Sequence, residues 1–130
     1  MNLERIKEIT LALQSESKKL DEYGPIVVDA ILHIEKSLTE SRVWINFSFK
    51  PEGYPGVDIM WKPKALGSED WCLMIQFPIC RGQMVDEKPF EDVGWEGWLN
   101  YGHLLEDFLI EFTQSIRALR LEYRNLESST

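Results

Sequence analysis

Between residues 42 and 80 the apolar residues change their spacing, from a helical repeat of three to four positions to alternation. In three runs of this region, apolar side chains occupy the odd-numbered positions. Because successive side chains of a strand point to opposite faces, each run places its odd-numbered residues on one face of a sheet. The predicted strands span residues 42–50, 56–62 and 71–79, with a short fourth strand at 81–85.

Helical spacing flanks the alternating region on both sides. The predicted helices span residues 2–22, 25–39 and 102–126. Gly24 and Pro25 separate the first two, because glycine suits a helix end and proline a first helical turn. The connections between the strands are too short for parallel crossovers. The 130 residues are therefore predicted to form a single α+β domain, 1–130. It is a three- to four-stranded antiparallel meander with two N-terminal helices and one long C-terminal helix, packed mainly on one face.

The net charge of −8 is concentrated in one segment. Residues 86–111 contain eight acidic residues against Lys88 alone, which leaves the rest of the chain close to neutral. This balance argues against direct nucleic-acid binding, which requires a basic footprint, and it permits a basic partner. Two cysteines and the absence of a signal-peptide pattern or a long apolar run predict a cytoplasmic protein that does not enter membranes.

The segment 89–103 combines aromatic residues, glycines and carboxylates. Aromatic faces beside carboxylates attract ammonium and guanidinium groups, and aromatic loop residues often anchor interfaces. The alternative is that Trp95 and Trp98 cap the open end of the core while the glycines shape the turn before the last helix. The predicted ligand- or partner-binding residues are Phe90, Glu91, Asp92, Trp95, Glu96, Trp98, Tyr101 and His103.

Two histidines have acidic residues at helical spacing. His103 precedes Glu106 and Asp107, and His33 follows Asp29. Acidic residues are common in a first helical turn for electrostatic reasons, so we expect no metal site and no cofactor. The sequence contains no phosphate-binding glycine loop, nucleophile elbow or Cys-x-x-Cys motif. No catalytic residue is therefore assigned, and a binding protein is favoured over an enzyme.

The second face of the predicted sheet is more apolar than a solvated face should be. Trp44, Met60, Cys72 and Met74 lie among polar residues there. Either a partner subunit or a ligand cleft would account for this composition, and the abundance of Trp and Met favours the partner. The last helix also has an unbroken four-three apolar repeat over 105–126. These two apolar surfaces predict a homodimer.

These observations lead to two functional hypotheses. The first is a small acidic cytosolic binding or regulatory protein that acts on a basic protein partner. Immunity proteins, antitoxins and inhibitors are of this class, by analogy of size and charge alone. The alternative is a small-ligand-binding protein or an enzyme, with an aromatic and acidic pocket between the sheet and residues 90–103.

Overall fold

A computed structural model describes residues 1–79 and 84–128. In chain order the elements are α1 (Leu3–Asp21), α2 (Gly24–Glu40), β1 (Phe47–Phe49), β2 (Asp58–Pro63), β3 (Trp71–Ile79), β4 (Met84–Pro89), α3 (Gly94–Tyr101) and α4 (Leu105–Ser128). Short 3-10 turns at Phe90–Asp92 and Gly102–Leu104 precede α3 and α4. The predicted α+β class is confirmed.

The four described strands form one sheet in the order β1-β2-β3-β4, and each neighbouring pair is antiparallel. Trp61 of β2 lies opposite Phe47 on one side and Leu73 on the other. This register places odd-numbered apolar residues of β1, β2 and β3 on the same face. Trp61 and Leu73 are fully buried in one core with Ile31 of α2 and Phe108 of α4, so the meander and its inward face are both confirmed.

The first strand is shorter than predicted, because only Phe47–Phe49 of the range 42–50 pairs with β2. Continuing the register would bring residue 45 opposite Pro63, which has no backbone N–H to donate. Upstream, Arg42 adopts a left-handed backbone conformation (φ 55°). The carbonyl oxygen of Val43 accepts a hydrogen bond from the Trp61 indole nitrogen at 2.7 Å instead of entering the ladder.

Residues 86–101, which lie between the predicted fourth strand and the predicted last helix, contain the rest of a strand and a short helix. Strand β4 continues to Pro89, and α3 follows the turn. Residues 81–83 of the predicted fourth strand lie outside the described residues, and residues 84 and 85 begin β4. As the edge of the sheet, β4 carries charged side chains that reach solvent, and Glu87 pairs with Lys62 at 3.0 Å. An edge strand of this kind needs no apolar alternation.

Helix α4 covers the sheet with its first half only. The Phe112 ring stacks on Phe47 at a centroid distance of 4.6 Å, and Phe108 contacts Phe47 and Phe49. The first predicted helix was expected to pack with its apolar stripe inward, but no residue of α1 is buried. The reason is that α2, α3 and the first half of α4 already supply the helical side of the core.

The second face of the sheet is partly closed within the chain itself. Cys72 and Met74 are buried, Met60 is half-buried and Trp44 is exposed. The Ser48 hydroxyl donates to Asp58 Oδ1 at 2.6 Å, which gives this largely buried carboxylate a partner. Much of the apolar surface that suggested a partner on this face is therefore already covered. Among the described residues, no helix is both long and apolar enough to cross a lipid bilayer.

Candidate functional site

Helix α3 brings Trp95 against the junction between α1 and α2. A side chain at Gly24 would place its Cβ 2.5 Å from the Trp95 ring, so only glycine permits this approach. The Trp95 Nε1 donates to Asp21 Oδ1 at 2.9 Å. The indole nevertheless remains 44% exposed, so it is held in place and still accessible.

Three of the other predicted aromatic residues lie in or against the core. Phe90 is fully buried and presents no surface to a partner. Trp98 is half-buried, and its Nε1 donates to the Phe90 carbonyl oxygen at 2.9 Å. Tyr101 is half-buried beside the Phe77 ring, at a centroid distance of 6.1 Å. These three side chains close the core, which is the alternative considered above for Trp98.

His103 contacts Tyr54, a residue outside the predicted site. Its side chain is exposed, and its Nε2 is 2.7 Å from the hydroxyl oxygen of Tyr54. His33 lies 3.5 Å from the Ser37 hydroxyl on α2. Over residues 1–79 and 84–128 no three His, Cys, Asp or Glu side chains are grouped so that they could hold a metal ion.

The predicted carboxylates do not share one surface. Glu91 lines an open groove of about 400 Å³ between α2 and the turn Phe90–Asp92, which we call the acidic groove. Glu96 lines a second groove of about 350 Å³ between the end of β3 and α3, together with Tyr101. The residues lining the acidic groove are Glu35, Lys36, Thr39, Glu40, Lys64, Trp71 and Glu91.

Glu35 of α2 is one of six residues lining this groove that were not predicted from the sequence. Strand β4 pairs with β3 only from Met74 onward, which leaves the Leu73 N–H without a strand partner. Glu35 supplies the hydrogen-bond acceptor that a neighbouring strand would otherwise provide: the Leu73 N–H donates to its Oε2 at 2.9 Å. Glu35 and Leu73 are 38 positions apart, so no local pattern in the sequence predicts the contact.

The environment of Glu35 disfavours its negative charge. Burial raises the pKa of the Glu35 carboxyl above its ordinary value of 4.5, and the nearby carboxylates Glu91 and Asp92 raise it further. The hydrogen bond from Leu73 and the charge of Lys64 act in the opposite direction without cancelling the increase. Within the described part of the chain, no basic side chain lies within ion-pair distance of Glu35 or Glu91. The groove therefore holds acceptors that a cation from outside could satisfy.

The buried thiol of Cys72 is not suited to nucleophilic chemistry. Burial raises its pKa to about 11, and the charge of Glu35 contributes to the increase. A thiol with this pKa is protonated at neutral pH, whereas nucleophilic cysteines depend on the thiolate. Cys80, the other cysteine, lies outside the described residues.

Three glutamates and two lysines line the acidic groove, so its lining has a small net negative charge. It combines two carboxylates without a basic partner and an aromatic side chain, Trp71, in one depression. Trp71 is half-buried and packs between Trp44 and Trp61, so its position is held by the fold. Comparison of the chain with protein-family models, with curated proteins and with solved structures finds no match.

Proposed function

We propose that the protein is a binding protein that recognises a basic protein partner through the acidic groove, and that it has a regulatory or inhibitory role. The observation that carries the proposal is the pair formed by Glu35 and Glu91, two carboxylates that line one groove and are not ion-paired within the described chain. An arginine or lysine side chain of a partner would supply the missing cation and lie against Trp71.

The exposed side chain of Trp95 supports the same function. It lies on the acidic segment 86–111, where Asp92 and Glu96 are also exposed. Aromatic residues surrounded by charges often anchor protein interfaces, while the charges accelerate association with a partner of opposite sign.

We further propose that the protein acts as a homodimer in the cytoplasm, where its free buried thiol at Cys72 stays reduced, and that it does not bind nucleic acid.

Calorimetric titration with a hexa-arginine peptide tests the groove. We expect Glu35→Gln and Glu91→Gln each to weaken binding about tenfold, because each removes one charged partner of a guanidinium group. Glu111→Gln, an exposed acidic residue on α4, is the matched control, because it changes the net charge equally. We expect the control to alter the affinity less than about twofold.

Salt and pH give two further readouts of the same titration. Binding should weaken as ionic strength rises, because salt screens exposed charges over distances of about 10 Å. It should also weaken as pH falls through the raised pKa of Glu35, since only the ionised carboxylate attracts a cation. Equal losses of affinity in all three variants would mean that the peptide is held by non-specific electrostatic attraction, and would contradict the proposal.

A second candidate function, binding of a small ligand, is supported by the groove between β3 and α3. Its volume of about 350 Å³ lies within the range of small-molecule sites. The ring of Tyr101 and the carboxylate of Glu96 suit an aromatic or alkyl ammonium ion. Titration with phenethylammonium, followed by the NMR signals of the tryptophan indoles, tests it: saturable shifts that Tyr101→Ala removes support this candidate. Shifts that do not saturate at millimolar concentration would exclude it.

A further inference from the structure

Helix α1 carries an apolar stripe that no other described residue of the chain covers. The stripe consists of Leu3, Ile6, Leu13 and Leu20, and Leu3 and Leu13 are 62% and 67% exposed. No residue of α1 is buried. Because most of the stability of a helix in a protein comes from packing of its apolar face, we expect α1 to pack against a surface.

Helix α4 carries a second stripe of the same kind beyond the end of the sheet. Its apolar repeat is buried at Phe108 and Phe112 and continues in register to Leu119 and Tyr123, which are 38% and 64% exposed. The α4 stripe, which we define as Leu119 and Tyr123, is thus the outer part of a seam whose inner part, from Phe108 to Ile116, packs in or against the core. Residues 113–127 of α4 span about 22 Å and α1 about 28 Å, so most of α1 can lie along this segment.

The two stripes leave the domain at opposite ends. Val27, near the start of α2, contacts Gly102, which immediately precedes α4. Leu38, near the end of α2, lies with Leu109 and Phe112 of α4. The helices α2 and α4 therefore run side by side in the same direction. It follows that α1 departs where α4 begins, while the α4 stripe extends past the other end.

The exposed area exceeds that of a compact monomer. A folded monomer of 15.2 kDa exposes about 7,100 Å², whereas this chain exposes 9719 Å². The surplus of about 2,600 Å² is larger than the roughly 800 Å² that each partner buries in an interface of standard size. The chain therefore has enough uncovered surface for a stable dimer.

We propose that two copies of the chain pair about a two-fold axis, with α1 of each copy packed antiparallel along the α4 stripe of the other. A rotation of 180° about an axis perpendicular to α4 exchanges the two ends of the domain. Each α1 thereby meets the α4 stripe of the second copy, both contacts form together, and the assembly closes. This inference rests on the homodimer of the proposed function and is independent of the acidic groove.

The distribution of charge favours this pairing over other contacts between copies. Helix α1 has four acidic and four basic residues, and residues 113–127 have three arginines and two glutamates. Contact between these segments brings together surfaces that are almost neutral. Contact through residues 86–111 would place two strongly acidic segments against each other, which like-charge repulsion opposes.

Light scattering on the purified full chain at micromolar concentration tests the arrangement. We expect a mass of twice 15.2 kDa for the wild type, and a monomer for both Leu13→Glu and Leu119→Lys. The matched controls are Leu11→Glu and Leu121→Lys, which place the same charges on the opposite sides of the same helices and should leave the dimer intact. Every variant position is exposed, so the core of the domain is unchanged.

Mixing the two monomeric variants distinguishes reciprocal exchange from other dimers. A mixed pair regains one native contact, and in its second contact the introduced charges are of opposite sign. We therefore expect the mixture to return to the dimer mass. A wild-type monomer would overturn both the homodimer and this arrangement. A dimer that survives either stripe variant, or a mixture that stays monomeric, would overturn the reciprocal arrangement alone.

Discussion

Phe108→Ala should lower the free energy of unfolding by about 3–5 kcal/mol, the usual cost of removing a buried phenylalanine ring. Phe108 is fully buried, and its ring lies 5.6 Å from that of Phe47 and 5.8 Å from that of Phe112. Truncation leaves a cavity where α4 meets β1, and the neighbouring rings cannot fill it without leaving their own contacts. Denaturant unfolding followed by tryptophan fluorescence measures the loss.

The control for this prediction is Leu121→Ala on the same helix. Leu121 is exposed on the side of α4 that faces away from the stripe, so the change should alter the free energy of unfolding by no more than about 0.5 kcal/mol. If Phe108→Ala cost as little as the control, the first half of α4 would not be part of the core. The description of one seam, half core and half exposed, would then be wrong.

Glu35→Ala should lower the free energy of unfolding by about 1–3 kcal/mol, whereas Glu35→Gln should leave it unchanged or increase it at neutral pH. Alanine leaves the Leu73 N–H without the acceptor that Glu35 Oε2 provides at 2.9 Å. Glutamine keeps an oxygen in that position and removes a charge that burial and the neighbouring carboxylates disfavour. Thermal and denaturant unfolding of the two variants measure the difference.

The pH dependence of stability gives an independent check on Glu35. Because its pKa is raised in the folded state, the folded chain holds more protons than the unfolded chain between the ordinary value of 4.5 and the raised value. Its contribution to stability is therefore lost as pH rises through that window. Glu35→Gln should remove this part of the pH dependence. Identical pH profiles for the wild type and the glutamine variant, or equal losses in both variants, would contradict the assigned role.

The predictions that proved correct concern interactions close in sequence. The alternation in 57–61 and 71–79 identified β2 and β3, because a side-chain period of two is a property of the strand itself. The start of α1 was equally local: the Asn2 side chain accepts a hydrogen bond from the Arg5 N–H at 3.2 Å, as an N-cap does.

The predictions that failed depended on what lies beside an element in space. Residues 42–46 alternate like a strand, but β2 ends at Pro63 and cannot pair with them. Helix α1 has the apolar stripe of a packed helix, yet the helical side of the core is already filled, so the stripe is left exposed. Residues 86–89 of β4 and helix α3 were not predicted, because an edge strand and a short helix carry too few apolar positions to show a period.

Interactions close in the sequence were determined by the amino-acid sequence alone, whereas contacts between distant residues were decided by the tertiary structure. Composition and periodicity determined the α+β class, the meander and the concentration of acidic residues in 86–111, because these are properties of neighbouring residues. The tertiary structure decided that Glu35 joins Glu91 in one groove, that Phe90 is core while Trp95 is accessible, and that the apolar stripe of α1, Leu119 and Tyr123 are exposed. These features depend on contacts between residues far apart in the chain. Which side chains are buried depends on how all the helices pack against the same small sheet.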